Sequence, residues 1–329
     1  MDYANDALTA AGYLKDEISE IGASGKPDGE KIWEILSTAW EVPHGTYKWS
    51  YDIKNIVTAW FKRDTRIKYI AEHYYQFDGK TLGITDHLLN HTDLVAQFKN
   101  YEQNIAYARD VAKVPYILSE AGGPLTPKEP ETANFAIALW GVNFEMYAMS
   151  QGVKRVSLVQ RPGVKRALWT PFETRDTPGP RVQAQFYSMP FVTDFIGKDV
   201  TGKRGVVNID LANPVLSAYA MFEGDRLARI AIVNLREYKG KGERKGVKMC
   251  LKEVAARNVI VGRLRADEGT AAGGWDVNGK NITYSGQQWS YQVNKGKAHG
   301  VVVEKEIEVM DGIVDVMVPD SEAVIIYLQ

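Results

Sequence analysis

The chain has 329 residues, with 40 Lys and Arg against 41 Asp and Glu, a formal net charge of -1 that carries no field for nucleic acid or an anionic membrane surface. Hydrophobic residues make up 45% and charged residues 25%, the ordinary balance of a globular protein. The apolar runs fall well short of the roughly 18 residues of a membrane span, and Cys250, the only cysteine, excludes an intrachain disulfide and a thiolate metal cluster.

Ala4, Ala7, Leu8, Ala11, Leu14, Ile18 and Ile21 recur at helical spacing, which predicts an amphipathic helix over residues 4–21. Residues 31–40 read as a strand. Ile53, Ile56, Val57, Trp60 and Phe61 share one helical face, with Asp52 near the start. Residues 66–75 are β-rich and end in His73-Tyr74-Tyr75. Leu94, Phe98, Tyr101, Ile105, Ala108 and Ala112 then form the buried stripe of a helix over 94–112.

Val114-Pro115-Tyr116-Ile117-Leu118 follows, an apolar run that leads into Ser119-Glu120 and the turn-formers Gly122, Gly123 and Pro124. This pattern reads as a buried strand with Glu120 at its carboxyl end, where parallel α/β barrels place catalytic groups. Residues 132–151 predict a helix that is apolar over much of its surface, hence buried. Gly152 stops it, and 153–160 is another strand. Residues 165–180 form a loop carrying Trp169, and 186–196 a last helix.

Past about residue 200 the pattern changes. Residues 215–222 and 227–235 flank Glu223-Gly224-Asp225 as a hairpin, and short β runs follow at 247–254, 259–264, 301–309, 313–318 and 323–328. The reading is α/β plus all-β: residues 1–200 as part of a (β/α)8 barrel, about strands 5–8, and residues 201–329 as a C-terminal β-sandwich. A closed barrel needs about twice the four strand–helix units found, so the chain is expected to be a fragment or to complete itself with another chain.

Several stretches, in order, carry a family resemblance. They are Ala71-Glu72-His73-Tyr74-Tyr75, Leu89-Asn90-His91-Thr92, Val114 to Gly122, Ala138-Leu139-Trp140-Gly141-Val142 and Gly152-Val153-Lys154-Arg155-Val156. Leu227 to Tyr238 and Ser321 to Leu328 continue it into the β module. Over nearly its whole length the chain resembles glycoside hydrolase family 79, the β-glucuronidase group related to heparanase. The resemblance implies a retaining glycosidase acting on a β-glucuronide or related β-glycoside, with no cofactor and a secreted, extracellular setting. It matches Glu120 to the nucleophile and His73 and Tyr74 to residues lining the sugar site. The proton donor of the family lies in an Asn-Glu motif, and no Asn-Glu dipeptide occurs in this sequence. The family also carries Thr after its nucleophile, followed by a loop that recognises the uronate carboxylate. Here Ala121 and Gly122-Gly123-Pro124-Leu125-Thr126-Pro127 stand instead.

Other polar residues are assigned blander roles. Glu72 in strand phase points away from His73, toward a helix. Glu145 reads as a surface or cap-linked residue, and His87 and His91 as solvated or capping. Trp140 reads as core. Gln160 and Trp169, near the end of the last parallel strand and its loop, are candidate sugar contacts, Trp169 by stacking on apolar sugar faces. Arg161, Lys165 and Arg166 form a basic loop. No His, Asp and Glu cluster has metal-ligand spacing, so no metal is expected. The sequons at Asn90 and Asn281 mark possible N-glycans, and the N-terminus shows no signal pattern. The competing reading is a non-catalytic carbohydrate-binding or interaction protein built on the same fold.

Overall fold

The computed structural model describes residues 33–37, 67–77, 83–125, 133–160, 167–173, 179–198, 203–273 and 282–328. The helices expected over 4–21 and around 53–61, the basic loop residues Arg161, Lys165 and Arg166, and Asn281 lie outside them.

Four strands, β1 (Trp33–Ser37), β2 (Ile67–Phe77), β3 (Tyr116–Pro124) and β4 (Arg155–Leu158), form a parallel sheet in sequential order. Helix α1 (His91–Tyr107) connects β2 to β3, and α2 (Phe135–Ser150) connects β3 to β4. The predicted stripe of α1 is the buried one, from Leu94 through Phe98 and Tyr101 to Ile105. Its last expected turn, Ala108–Ala112, widens into a π turn that ends at Lys113 in the left-handed region, φ 56°. In α2 every residue from Phe135 to Ala148 is buried, as an apolar surface on all sides requires.

The loop after β4 carries a two-strand ribbon, β5 (Trp169–Thr170) with β6 (Arg181–Val182), and α3 (Ser188–Ile196) follows. Gly141 lets α2 and α3 approach, since a Cβ there would lie 2.8 Å from Ser188 Oγ.

The β module is a seven-stranded antiparallel sheet. Its strands are β7 (Arg204–Ile209), β8 (Leu216–Glu223), β9 (Arg226–Asn234), β11 (Asn258–Arg265), β12 (Thr283–Tyr284), β15 (Lys305–Glu308) and β17 (Glu322–Leu328), in the order β12-β11-β17-β9-β8-β7 with β15 beside β11. A second layer, β10 (Gly246–Leu251) paired with β16 (Val314–Pro319), covers one face through Ile230, Ile232, Val259, Val261, Val316 and Ile326. A small lobe holds β13 (Gln288–Trp289), α4 (Tyr291–Asn294) and β14 (Ala298–His299). The expected hairpin is present as β8–β9, turning at Gly224 with φ 64°. The sequence reading missed β7 and the two-residue strands, the latter too short to show a period.

The sheet's other face continues the core of the parallel layer. Tyr219, Met221, Ala231, Val233 and Ile325 share one cluster with Trp140, Phe144, Phe191 and Phe195.

Candidate active site

Glu120 lies at the middle of β3, side by side with β2, and the strand runs on through Gly122, Gly123 and Pro124, where a turn was expected. The register of this pair contains an irregularity: Glu72 opposes Leu118, and the next residue, His73, opposes Glu120. Ser119 is thus an extra residue in β3, and the pairing of β3 with β4 shifts over the same stretch. The consequence follows from strand phase. Without the extra residue Ser119 would take the place opposite His73, and Glu120 would turn with Leu118 toward the helices. With it, Glu120 shares a face with His73 and Tyr75.

The contacts agree with that phase. Tyr75 donates its hydroxyl hydrogen to Glu120 Oε1 at 2.5 Å, and His73 Nδ1 lies 3.9 Å from Glu120 Oε2. The carboxylate is 44% exposed and His73 24%, so the group can meet a ligand while its neighbours hold it. A carboxylate held by a phenol donor keeps its lone pairs aimed.

On the opposite face Glu72 is 1% exposed and accepts from Asn104 Nδ2 at 3.0 Å and from the Tyr116 hydroxyl. It faces α1, as strand phase predicts, and is no partner for Glu120.

Tyr74 does not line the site. It is fully buried, stacked on Phe144 at 4.8 Å and packed against Phe98 and Tyr101. Alternation along β2 sends residues 72, 74 and 76 to the helices and 73 and 75 to the other face, so Tyr75 and not Tyr74 meets Glu120. Period two on its own carried that signal.

Gln160 and Trp169 meet at the end of β4, where Gln160 Nε2 donates to the Trp169 carbonyl at 2.6 Å and its Oε1 accepts from the Leu168 amide at 2.8 Å. Gln160 thus fastens this loop, with one amide hydrogen and one oxygen lone pair left over. Trp169 is 46% exposed. Trp140 is core, stacked on Phe144 at 4.8 Å and donating to Gln76 Oε1 at 2.7 Å.

Three polar assignments are corrected. Glu145 is buried in α2, accepts from Ser188 Oγ at 3.0 Å, and burial pushes its carboxyl up to about 8, against the smaller opposing pull of that bond. His91 is also buried, with Nδ1 3.0 Å from Asn143 Oδ1, and burial lowers its pKa although Asn143 and Asp210 act the other way. His87 stacks on Phe77 at 4.7 Å, with Nδ1 3.1 Å from Asp93 Oδ2. None of the three is a solvated side chain, because each is turned from solvent onto a polar partner, Ser188, Asn143 or Asp93. Asn90 of the first sequon caps α1, its Oδ1 accepting from the Asp93 amide at 3.1 Å.

Comparison with known proteins adds lineage to this geometry. Residues 218–325 match the family described as glycosyl hydrolase family 79 C-terminal beta domain. A beta-glucuronidase of Aspergillus niger is 29% identical over 299 residues, 83% of this chain and 54% of that protein. A beta-glucuronidase of Neurospora crassa is 30% identical over 190 residues, 53% of this chain and 34% of that protein. Among solved structures, a 4-O-α-L-rhamnosyl-β-D-glucuronidase from Fusarium oxysporum in a Rha-GlcA complex superposes with a TM-score of 0.69 at 18% identity, over 80% of this chain and 54% of that one. A family 51 arabinofuranosidase from Xanthomonas axonopodis pv. citri gives 0.54 at 13% identity, over 98% of this chain and 63% of that one. The resemblance to family 79 read from the sequence is borne out, and the fold is one shared with glycoside hydrolases. The chain spans about half the length of the Aspergillus relative and a third of the Neurospora one.

Proposed function

We propose that this chain carries the nucleophile of a retaining, β-glucuronidase-like glycoside hydrolase, and that the nucleophile is Glu120. The observation that carries the reading is the Tyr75–Glu120 hydrogen bond of 2.5 Å between neighbouring parallel strands, with His73 beside it. The names of the two curated relatives support the substrate class, a β-glucuronide. In this reading the parallel sheet is the later part of a (β/α)8 barrel, and Trp169 stacks on the sugar at its mouth.

The chemistry is a displacement. Glu120 attacks the anomeric carbon, the bond to the leaving oxygen breaks, and a glycosyl ester forms on the carboxylate. Tyr75 holds Glu120 in line during the attack. Retaining enzymes place a protonated acid about 5 Å from the nucleophile to protonate that oxygen. Glu72 is behind the sheet and cannot serve, and no Asn-Glu dipeptide occurs in the sequence, so this chain is proposed to turn over ordinary glycosides poorly.

A leaving group that departs without a proton isolates the nucleophile step. The chain is incubated with 2-deoxy-2-fluoro-β-glucuronyl fluoride, in which Glu120 attacks C1 and fluoride leaves with the bonding pair. The expected result is one added glycosyl unit per chain, located on Glu120 by peptide mass spectrometry and lost in Glu120→Gln. Glucuronide binding that survives Glu120→Gln, without any labelling of the unsubstituted chain, identifies a non-catalytic carbohydrate-binding protein instead.

A further inference from the structure

The sequence pattern predicts one β run over 301–309, yet only its second half, β15, pairs with β11. The residues leading into β15 have bare side chains: Val301 is 79% exposed, Val302 56% and Val303 63%. Successive side chains of an extended run point to opposite faces, so neither face of this one is covered. Three β-branched residues in a row suit a position between strands, whereas an edge that resists pairing carries charge or proline.

The backbone phase shows which groups are open. Val303 donates its amide hydrogen to the Ser285 carbonyl at 2.8 Å, and Val309 donates to the Arg257 carbonyl at 2.9 Å. Between them Lys305 and Ile307 oppose Val261 and Val259 of β11. Odd-numbered amides thus turn inward, and the backbone groups of Val302, Glu304, Glu306 and Glu308 turn outward. The amides of Val302 and Glu304 have no backbone partner among the described residues, and β15 has no strand on its outer side among them. The run is an unpaired edge of the seven-stranded sheet.

Its flanks differ in charge. Lys295 and Lys297 precede the valines, Glu304, Glu306 and Glu308 follow, and all five are exposed. A second copy laid parallel would set lysine beside lysine and glutamate beside glutamate. Laid antiparallel about a two-fold axis at Val302, it sets Val301 opposite Val303 and lets the two Val302 residues exchange their N–H and C=O bonds. The same axis brings Lys297 of each copy beside Glu306 and Glu308 of the other. Gly300, with φ 99°, falls opposite Glu304 and brings no side chain there. A two-fold contact of this kind is closed and self-complementary.

We propose that the edge from Val301 to Glu308 is a self-association surface, on which a second copy of this chain adds antiparallel and joins the two β modules through one continuous sheet. The contact is small, so the dimer is weak and reversible.

Sedimentation velocity of the 329-residue chain, between about 1 and 300 µM, tests this. A dimer fraction that rises with concentration and falls in about 1 M salt is expected. Val302→Lys sets two like charges on the axis and should weaken the dimer about tenfold or more, with an unchanged urea midpoint because the side chain is exposed. Lys297→Glu and Glu308→Lys should each weaken it, and the two together should restore it. Val207→Lys, on β7 at the sheet's opposite edge, where Val207 is 50% exposed, should leave the dimer intact. A monomer at every concentration overturns the proposal. So does a dimer that survives Val302→Lys, one lost in Val207→Lys, or a double charge swap that fails to restore it.

Discussion

Tyr75 and Glu120, 45 positions apart in sequence, meet at 2.5 Å on one face of a parallel sheet because β3 carries one residue more than its partner. Tyr75→Phe keeps the ring and removes the donor. The expected loss in the inactivation rate of Glu120 is about 10- to 1,000-fold, the range for deleting a single preorganised donor. The midpoint of thermal unfolding should move little, since the partner carboxylate is 44% exposed and water can replace the phenol. A stopped assay with the glycosyl fluoride measures the first effect and calorimetry the second.

Tyr74, one residue earlier, should behave in the opposite way. Tyr74→Phe retains the stack on Phe144 and should label like the unsubstituted chain. Tyr74→Ala empties a space lined by Phe98, Tyr101 and Phe144 and should cost about 3–5 kcal/mol of stability. Urea unfolding of the pair separates the two positions: 75 governs rate, 74 governs stability.

Glu145 makes the protein less stable as the solution becomes more alkaline. Its carboxyl titrates near 8 when folded and near the ordinary carboxylate value when unfolded, so between those values the folded state holds the extra proton. Its stabilising contribution is complete below the unfolded value and declines as pH rises toward 8, by an amount on the order of 4 kcal/mol. Glu145→Gln keeps an acceptor for Ser188 and has no charge to bury. Its urea midpoint should be nearly flat from pH 5 to 8 and should exceed that of the unsubstituted chain at the alkaline end.

His91 acts at the other end of the scale. Burial lowers its pKa, so the folded protein prefers the neutral ring. That contribution is present above the ordinary histidine range and is lost as pH falls through the lower, folded value. His91→Gln can still donate to Asn143 Oδ1 and should unfold less readily than the unsubstituted chain on acidification below pH 6. A steeper acid loss in the variant than in the parent would contradict this.

Much of this architecture was legible before any coordinates. The apolar stripe of α1, the fully apolar α2 with Gly152 behind it, and the hairpin around Gly224 each follow from local pattern. So does the placing of Glu120 on a strand and of Glu72 behind the sheet, though the strand runs on past Glu120 through the expected turn at Gly122, Gly123 and Pro124. What was hidden has a common cause. The residues around Ser119 contain nothing that marks an extra residue in a strand, because the shift belongs to pairing with distant partners. The burial of Glu145 and His91 was equally silent, since neither the all-apolar α2 nor the first turn of the amphipathic α1 reveals which polar residue meets another layer. Tyr75 differs, for alternation along β2 names it without help, and the resemblance drew attention to Tyr74 instead.

Helix α2 has a consequence for how the molecule comes apart. From Phe135 to Ala148 it has no side open to water. It packs toward β3 on one flank and toward β7, β8 and β9 on another. Neither layer can be stripped from it without wetting the other's core, so the change of texture near residue 200 marks a seam in the pattern of residues and not a line of fracture. Heating should give one calorimetric peak with matching van't Hoff and calorimetric enthalpies, and severing the chain at that seam should leave two insoluble pieces in place of two domains.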